Sequence, residues 1–162
     1  MASKAMIESI NKQINNEISS SYLYLSMAAH CDAKNFGGFA NWLKLQAKEE
    51  LEHAMRFYKL VNSLGEEVIL KAIPQPETEF KSLLEIFEKV LKHEKGVTAA
   101  INSLYEQALK ENDYATQINL QWFINEQIEE EENASDLVHQ LKNIGDNYSA
   151  LMIIDGKLAK RQ

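Results

Sequence analysis

Glu50 and His53, and again Gln127 and Glu130, stand three residues apart in stretches of helical periodicity, so both members of each pair project from one helix face. Glu17 and Glu94 occupy comparable positions in two further stretches. Carboxylates and an imidazole gathered in this way suit a divalent cation, and an oxygen-rich set with one nitrogen fits iron, manganese, cobalt or zinc. Any one of these residues could instead be a core polar side chain tied up by hydrogen bonds. Four helices placing such groups at matched heights favour a metal, because burying several carboxylates together is costly and two divalent cations would neutralise four of them.

The elements that must position these residues are readable from spacing. Each of four stretches has a seam alternating by three and four positions, the pattern that faces a bundle interior. The first runs through Ile7, Ile10, Ile14, Glu17, Ser21, Tyr24 and Ala28, and the second through Phe39, Leu43, Gln46, Glu50, His53, Phe57 and Leu60. The third carries Phe87, Val90, Glu94, Val97, Ile101 and Leu104, and the fourth Leu120, Phe123, Gln127, Glu130, Ala134, Leu137 and Leu141. Every seam is apolar towards its ends and polar near its middle.

The spacing predicts helices over about Ser3 to Lys34, Phe39 to Leu64, Ser82 to Lys110 and Asp113 to Ile144. Asn35-Phe36-Gly37-Gly38 reads as the first turn, Gly65 and Gly145 as stops, and Ser82-Leu83-Leu84-Glu85 as a capping box. Between the second and third helices lies a stretch of about 16 residues that holds both prolines. Extended, it spans ~50 Å, enough to run the ~42 Å length of a 28-residue helix. It can therefore cross the bundle lengthwise and leave the second and third helices parallel. The expected fold is all-α: a four-helix bundle in one domain over 1–162, with a long crossover loop and a short fifth helix after Gly145.

Composition narrows the function classes. With 24 acidic and 17 basic residues the formal charge is −7, which disfavours nucleic acid and anionic membrane and attracts cations. The lone Cys31 allows neither an internal disulfide nor a cysteine metal cluster, and reads as a small buried residue. Met1 to Glu8 is mixed and charged, unlike a signal peptide. No apolar run approaches the ~18 residues of a membrane span. A cytoplasmic protein is expected.

These residues resemble the non-haem bacterial ferritins over nearly the whole chain. The matching motifs are Glu17 followed by Tyr24, Glu49-Glu50-Leu51-Glu52-His53, His93-Glu94, and Glu126-Gln127-Ile128-Glu129-Glu130. The resemblance implies that Glu17, Glu50 and His53 bind a first iron. Glu50 would bridge to a second, held with Glu94 and Glu130, and Gln127 would lie beside it. It also implies oxidation of Fe(II) by O₂ or peroxide, storage of the product as a ferric mineral, and a homo-oligomeric cage of 24 chains. The fourth helix carries Gln-x-x-Glu where the broader di-iron pattern has Glu-x-x-His, so the second metal should be held more loosely.

Three features carry two readings each. Glu49, Glu126 and Glu129 match residues that hold a third iron in related proteins, or they form a solvated acidic face. Tyr24 could bond a ligand carboxylate and supply an electron to O₂, or simply satisfy its buried hydroxyl. Trp122 could donate an electron or pack in the core or an interface. His93 points about 100° away from Glu94 and is a poor ligand candidate; His30 and His139 lie near helix ends.

Other functions fit these residues less well. A rubrerythrin-type peroxidase or oxidoreductase expects a second Glu-x-x-His and often a Cys-rich domain, and neither is here. A haem-binding bacterioferritin places Met where this chain has Leu51, so no haem is expected. A non-catalytic cage subunit would lose core ligands, and mini-ferritins build the site between subunits. The complete set within this chain disfavours both.

Overall fold

A computed structural model describes residues 2–162. Among them are five helices and no strand: α1 (Lys4–Ala33), α2 (Gly37–Ser63), α3 (Leu83–Lys110), α4 (Tyr114–Ile144) and α5 (Tyr148–Leu158). Side chains close most of the helix starts. Ser3 accepts from the Met6 amide at 3.0 Å, Ser82 from the Glu85 amide at 3.0 Å and Asn147 from the Ala150 amide at 3.0 Å. Asp113 caps α4 through the Thr116 amide (3.3 Å) and hydroxyl (2.6 Å).

The second helix departs from the expectation. It begins at Gly37, two residues before Phe39, so both glycines assigned to the turn are helical. Their lack of side chains suggests a loop, but the left-handed residue of this turn is Asn35 (φ 62°). Gly38 is small for a packing reason: a Cβ there would lie 1.7 Å from the Asp155 carbonyl oxygen of α5. Gly65 (φ 78°) and Gly145 (φ 55°) do end helices as read from the sequence.

The crossover, residues 64–82, is laid along α1. Asn11 donates to the Glu67 carbonyl (3.2 Å) and accepts from the Ile69 amide (2.9 Å); Asn15 accepts from the Lys71 amide (2.9 Å); Ser26 donates to the Glu77 carbonyl (2.6 Å). The loop thus travels from the start of α1 towards its end, where Phe80 meets His30 edge-on at 5.4 Å. Because α1 and α2 form a hairpin, this route delivers α3 parallel to α2.

Packing sorts the interior into two apolar clusters. Tyr24, Met27, Phe39, Leu43, Phe87, Val90, Ala134 and Leu137 belong to one, next to α5. Met6, Ile10, Ile14, Phe57, Ile101, Leu120 and Phe123 belong to the other, where Phe57 and Phe123 stack at 4.0 Å. Between them, in sequence on all four helices, come the polar seam residues. No described helix is long and apolar enough to cross a membrane.

Candidate metal centre

All six seam residues are buried: Glu17, Glu50 and Glu94 are each 1% exposed, Gln127 3%, His53 4% and Glu130 5%. All four seams therefore turn their polar residues inward. Ligand atoms of Glu17, Glu50 and His53 all lie within 4.8 Å of one another, and so do those of His53, Glu126 and Glu130. His53 stands between the two groups.

The hydrogen bonding of this layer is uneven, and the unevenness is informative. Gln13 donates to Glu17 Oε1 at 2.7 Å, yet Glu17 Oε2 and both oxygens of Glu50 are buried with no hydrogen-bond partner. Buried carboxylate oxygens are rarely left so. His53 Nδ1 lies 3.7 Å from Glu50 Oε2, too far for a hydrogen bond. Glu94 is better supplied: Tyr24 donates its hydroxyl to Oε1, and Gln127 Nε2 donates to Oε2 at 3.1 Å and to the Glu94 carbonyl at 3.2 Å. Thr98 accepts from the same amide at 3.3 Å and donates to Glu131 at 2.6 Å. Gln127 so placed turns its amide nitrogen to Glu94 and steadies that carboxylate.

Electrostatics show the same stress. Burial, then the neighbouring Glu50, pushes the Glu17 carboxyl well above the ordinary range. Burial, then Glu94, does the same to Glu50. Burial, then Glu94 and Glu49, lifts Glu130 to about 8. Desolvation disfavours each charged form and like charges at close range add to it. A set of buried acids that resists ionisation, with unpartnered oxygens beside one imidazole, fits divalent cations. Each cation would remove the repulsion and supply the missing partner.

The remaining sequence candidates have differing surroundings. Tyr24 is fully buried; burial and the Glu94 charge hold its phenol well above its usual pKa, so it stays a donor. Glu126 is half-buried and joins His53 and Glu130, whereas Glu129 is exposed. Glu49 is engaged by Arg161, with Nη2 at 3.0 and 3.2 Å from its two oxygens. Trp122 packs edge-on to His53 at 5.5 Å, with the Arg56 guanidinium 3.8 Å over its ring. His93 is turned away from the layer, bonds Ser20 Oγ at 2.6 Å, and meets the Tyr24 ring edge-on at 5.6 Å. Cys31 is buried and its thiol is pushed up to about 12, mainly by burial, which leaves it unreactive.

Three participants were not assigned from the sequence. Gln13 sits one turn before Glu17 and bonds it, a neighbour that i,i+4 spacing could have flagged. Gln46, on the α2 seam one turn before Glu50, donates to Glu130 Oε2. Arg161 lies more than a hundred residues from Glu49, and nothing local signals that pairing.

Residues 7–144 match the family model for the ferritin-like domain. The bacterial non-heme ferritin of Staphylococcus haemolyticus is 42% identical over 99% of this chain and 97% of its own length. This chain belongs to the ferritin family. Its fold agrees with that of solved ferritins: the open pore ferritin of the hyperthermophilic archaeon Archaeoglobus fulgidus is 45% identical over 100% of both chains, with a TM-score of 0.99. A closed form engineered from the Archaeoglobus fulgidus ferritin superposes at a TM-score of 0.98, again at 45% identity, covering 100% of this chain and 99% of the other. Ferritins are iron-storage proteins, so the cation class left open by the ligand chemistry narrows to iron.

Proposed function

We propose that this chain is a ferroxidase subunit of an iron-storing cage, acting as a single ferritin-like domain over 1–162. The observation that carries the reading is the trio of buried, unpartnered carboxylate oxygens on Glu17 and Glu50 beside His53. Fe(II) is the substrate. One ion takes Glu17, Glu50 and His53; a second takes Glu50, Glu94 and Glu130, with Glu126 adjacent and Gln127 steadying Glu94. Two irons side by side let a single oxidant, O₂ or peroxide, draw one electron from each. Tyr24, hydrogen-bonded to Glu94, keeps that ligand oriented and is placed to pass an electron. No haem takes part.

With one imidazole for two ions, the set binds its metals loosely enough to release them after oxidation, which suits passage of ferric iron into a mineral. The cage is a homo-oligomer of 24 chains and works in the cytoplasm; the likeness to cage-forming ferritins supports this assembly.

Adding Fe(II) in air and following the growth of ferric absorbance tests the chemistry. The wild type should oxidise iron rapidly and Glu50→Ala should do so at no more than the background rate. An unaltered rate in Glu50→Ala would overturn the reading. A particle of several hundred kilodaltons by light scattering is the expected assembly, and a dimer would point instead to a redox enzyme without storage.

A further inference from the structure

The segment after α5 packs on α2 beside the candidate metal centre. Asn41 on α2 donates to the carbonyl oxygens of Leu158 and Arg161, both at 3.1 Å, and so pins the chain beyond α5. From there the Arg161 guanidinium passes 5.0 Å from the Trp42 ring centroid and makes two sets of bonds. Nη2 donates to both oxygens of Glu49, at 3.2 and 3.0 Å. Nη1 donates to the Gln46 side-chain oxygen at 3.2 Å and the Trp42 carbonyl at 3.4 Å. Gln46 is itself buried, and its amide nitrogen donates to Glu130. An amide that accepts on one side donates on the other, so the chain Arg161–Gln46–Glu130 is internally consistent and fixes the guanidinium in place.

Glu49 is the acid on which this arrangement acts. It adjoins Glu50 in sequence, and its charge is felt by both Glu50 and Glu130. Ligand atoms of Glu126, Glu130 and His53 already lie within 4.8 Å of one another. Gln46 links the guanidinium that holds Glu49 to Glu130, so a free Glu49 would offer two more oxygens on the Glu130 side of the layer. Nη2 of Arg161 takes both of them, and a delocalised cation whose other nitrogen is held by a carbonyl and an amide is not displaced as readily as a mobile lysine.

Resting on the two-metal reading above, we infer that Arg161 is a built-in cation that occupies Glu49 and limits the centre to two metal ions. It is a specificity-determining residue that acts through Glu49 and touches no reacting atom. Removing it frees Glu49 to join Glu126 and Glu130 around an additional divalent ion.

The test uses the full chain soaked with Co(II), a redox-inert stand-in for Fe(II) under these conditions, and locates ions inside the bundle by anomalous diffraction at the cobalt edge. Two ions are expected in the wild type, three in Arg161→Ala with the added one on Glu49, and two again in Arg161→Ala/Glu49→Gln. Zinc titration calorimetry should show one more site per chain in the single variant than in the wild type or the double variant. A wild-type bundle with a cobalt already on Glu49 would overturn the proposal, as would an Arg161→Ala bundle that leaves Glu49 bare. A wild-type bundle that takes no ion at Glu17, Glu50 and His53 would instead sink the two-metal reading, so the two failures are told apart.

Discussion

The carboxylate of Asp155, in the last helix, accepts hydrogen bonds from the backbone amides of Gly38 (2.8 Å) and Phe39 (3.0 Å) at the start of α2. It does for α2 what a local capping residue does elsewhere, since Phe36 at the N-cap position has no side chain able to accept. The cap comes from the other end of the chain, so it also docks α5.

Replacing Asp155 with Ala should lower stability by about 1 kcal/mol, the usual cost of a lost N-cap. Gly38→Ala should do more damage, because its new Cβ would meet the Asp155 backbone at 1.7 Å and α5 would have to leave. Limited proteolysis should then cut within 146–162 in Gly38→Ala while the wild type resists. Equal resistance in the two proteins would contradict the role assigned to Gly38.

Glu50 has two buried oxygens and no partner for either. Glu50→Gln removes the cost of burying a group that ionises freely in the unfolded chain, at almost constant shape, so the metal-free variant should gain on the order of 1 kcal/mol at pH 8. The same change removes the shared ligand, and the rise in melting temperature that Zn(II) gives the wild type should largely vanish. Calorimetric scans with and without Zn(II) check both halves. A variant less stable than the wild type without metal would show that Glu50 has partners after all.

The raised carboxyl of Glu130 has a signed consequence. Its folded pKa, about 8, exceeds the ordinary carboxylate value. The proton it retains favours the folded state fully below that ordinary value, and the advantage is lost as pH rises through about 8. Glu17 and Glu50 are shifted in the same direction. Metal-free protein should therefore become less stable between pH 5 and pH 8.5, whereas metal binding releases the protons and stabilises most at the alkaline end. Melting curves of metal-free wild type and Glu130→Gln over this range provide the check, and the slope should be shallower in the variant.

Tyr24 and Glu94 lie 70 residues apart and meet in the interior, both all but fully buried. Tyr24→Phe leaves one oxygen of Glu94 without its donor. A hydrogen bond to a charged group contributes about 1.5–3 kcal/mol, so iron oxidation should slow by roughly tenfold or more. The number of Zn(II) ions bound should not change, because Tyr24 is not a ligand. A drop in bound Zn(II) would mean that the phenol helps to build the site.

The sequence by itself determined the four long helices, the lengthwise crossover and the belt of ligand-type residues. Helical period assigns each residue to a face, and i,i+3 pairs such as Glu50 with His53 must share one; loop length then limits which helices run parallel. Tertiary structure alone decided how the side chains are spent. It gave Asp155 to the start of α2, set Gly38 in that helix against α5, turned Gln46 to Glu130 and Gln127 to Glu94, and closed Arg161 on Glu49. These partners are remote in the chain, and their meeting depends on where α5 and its tail dock against α2 and on which rotamers the packed core allows. Periodicity carries no trace of either.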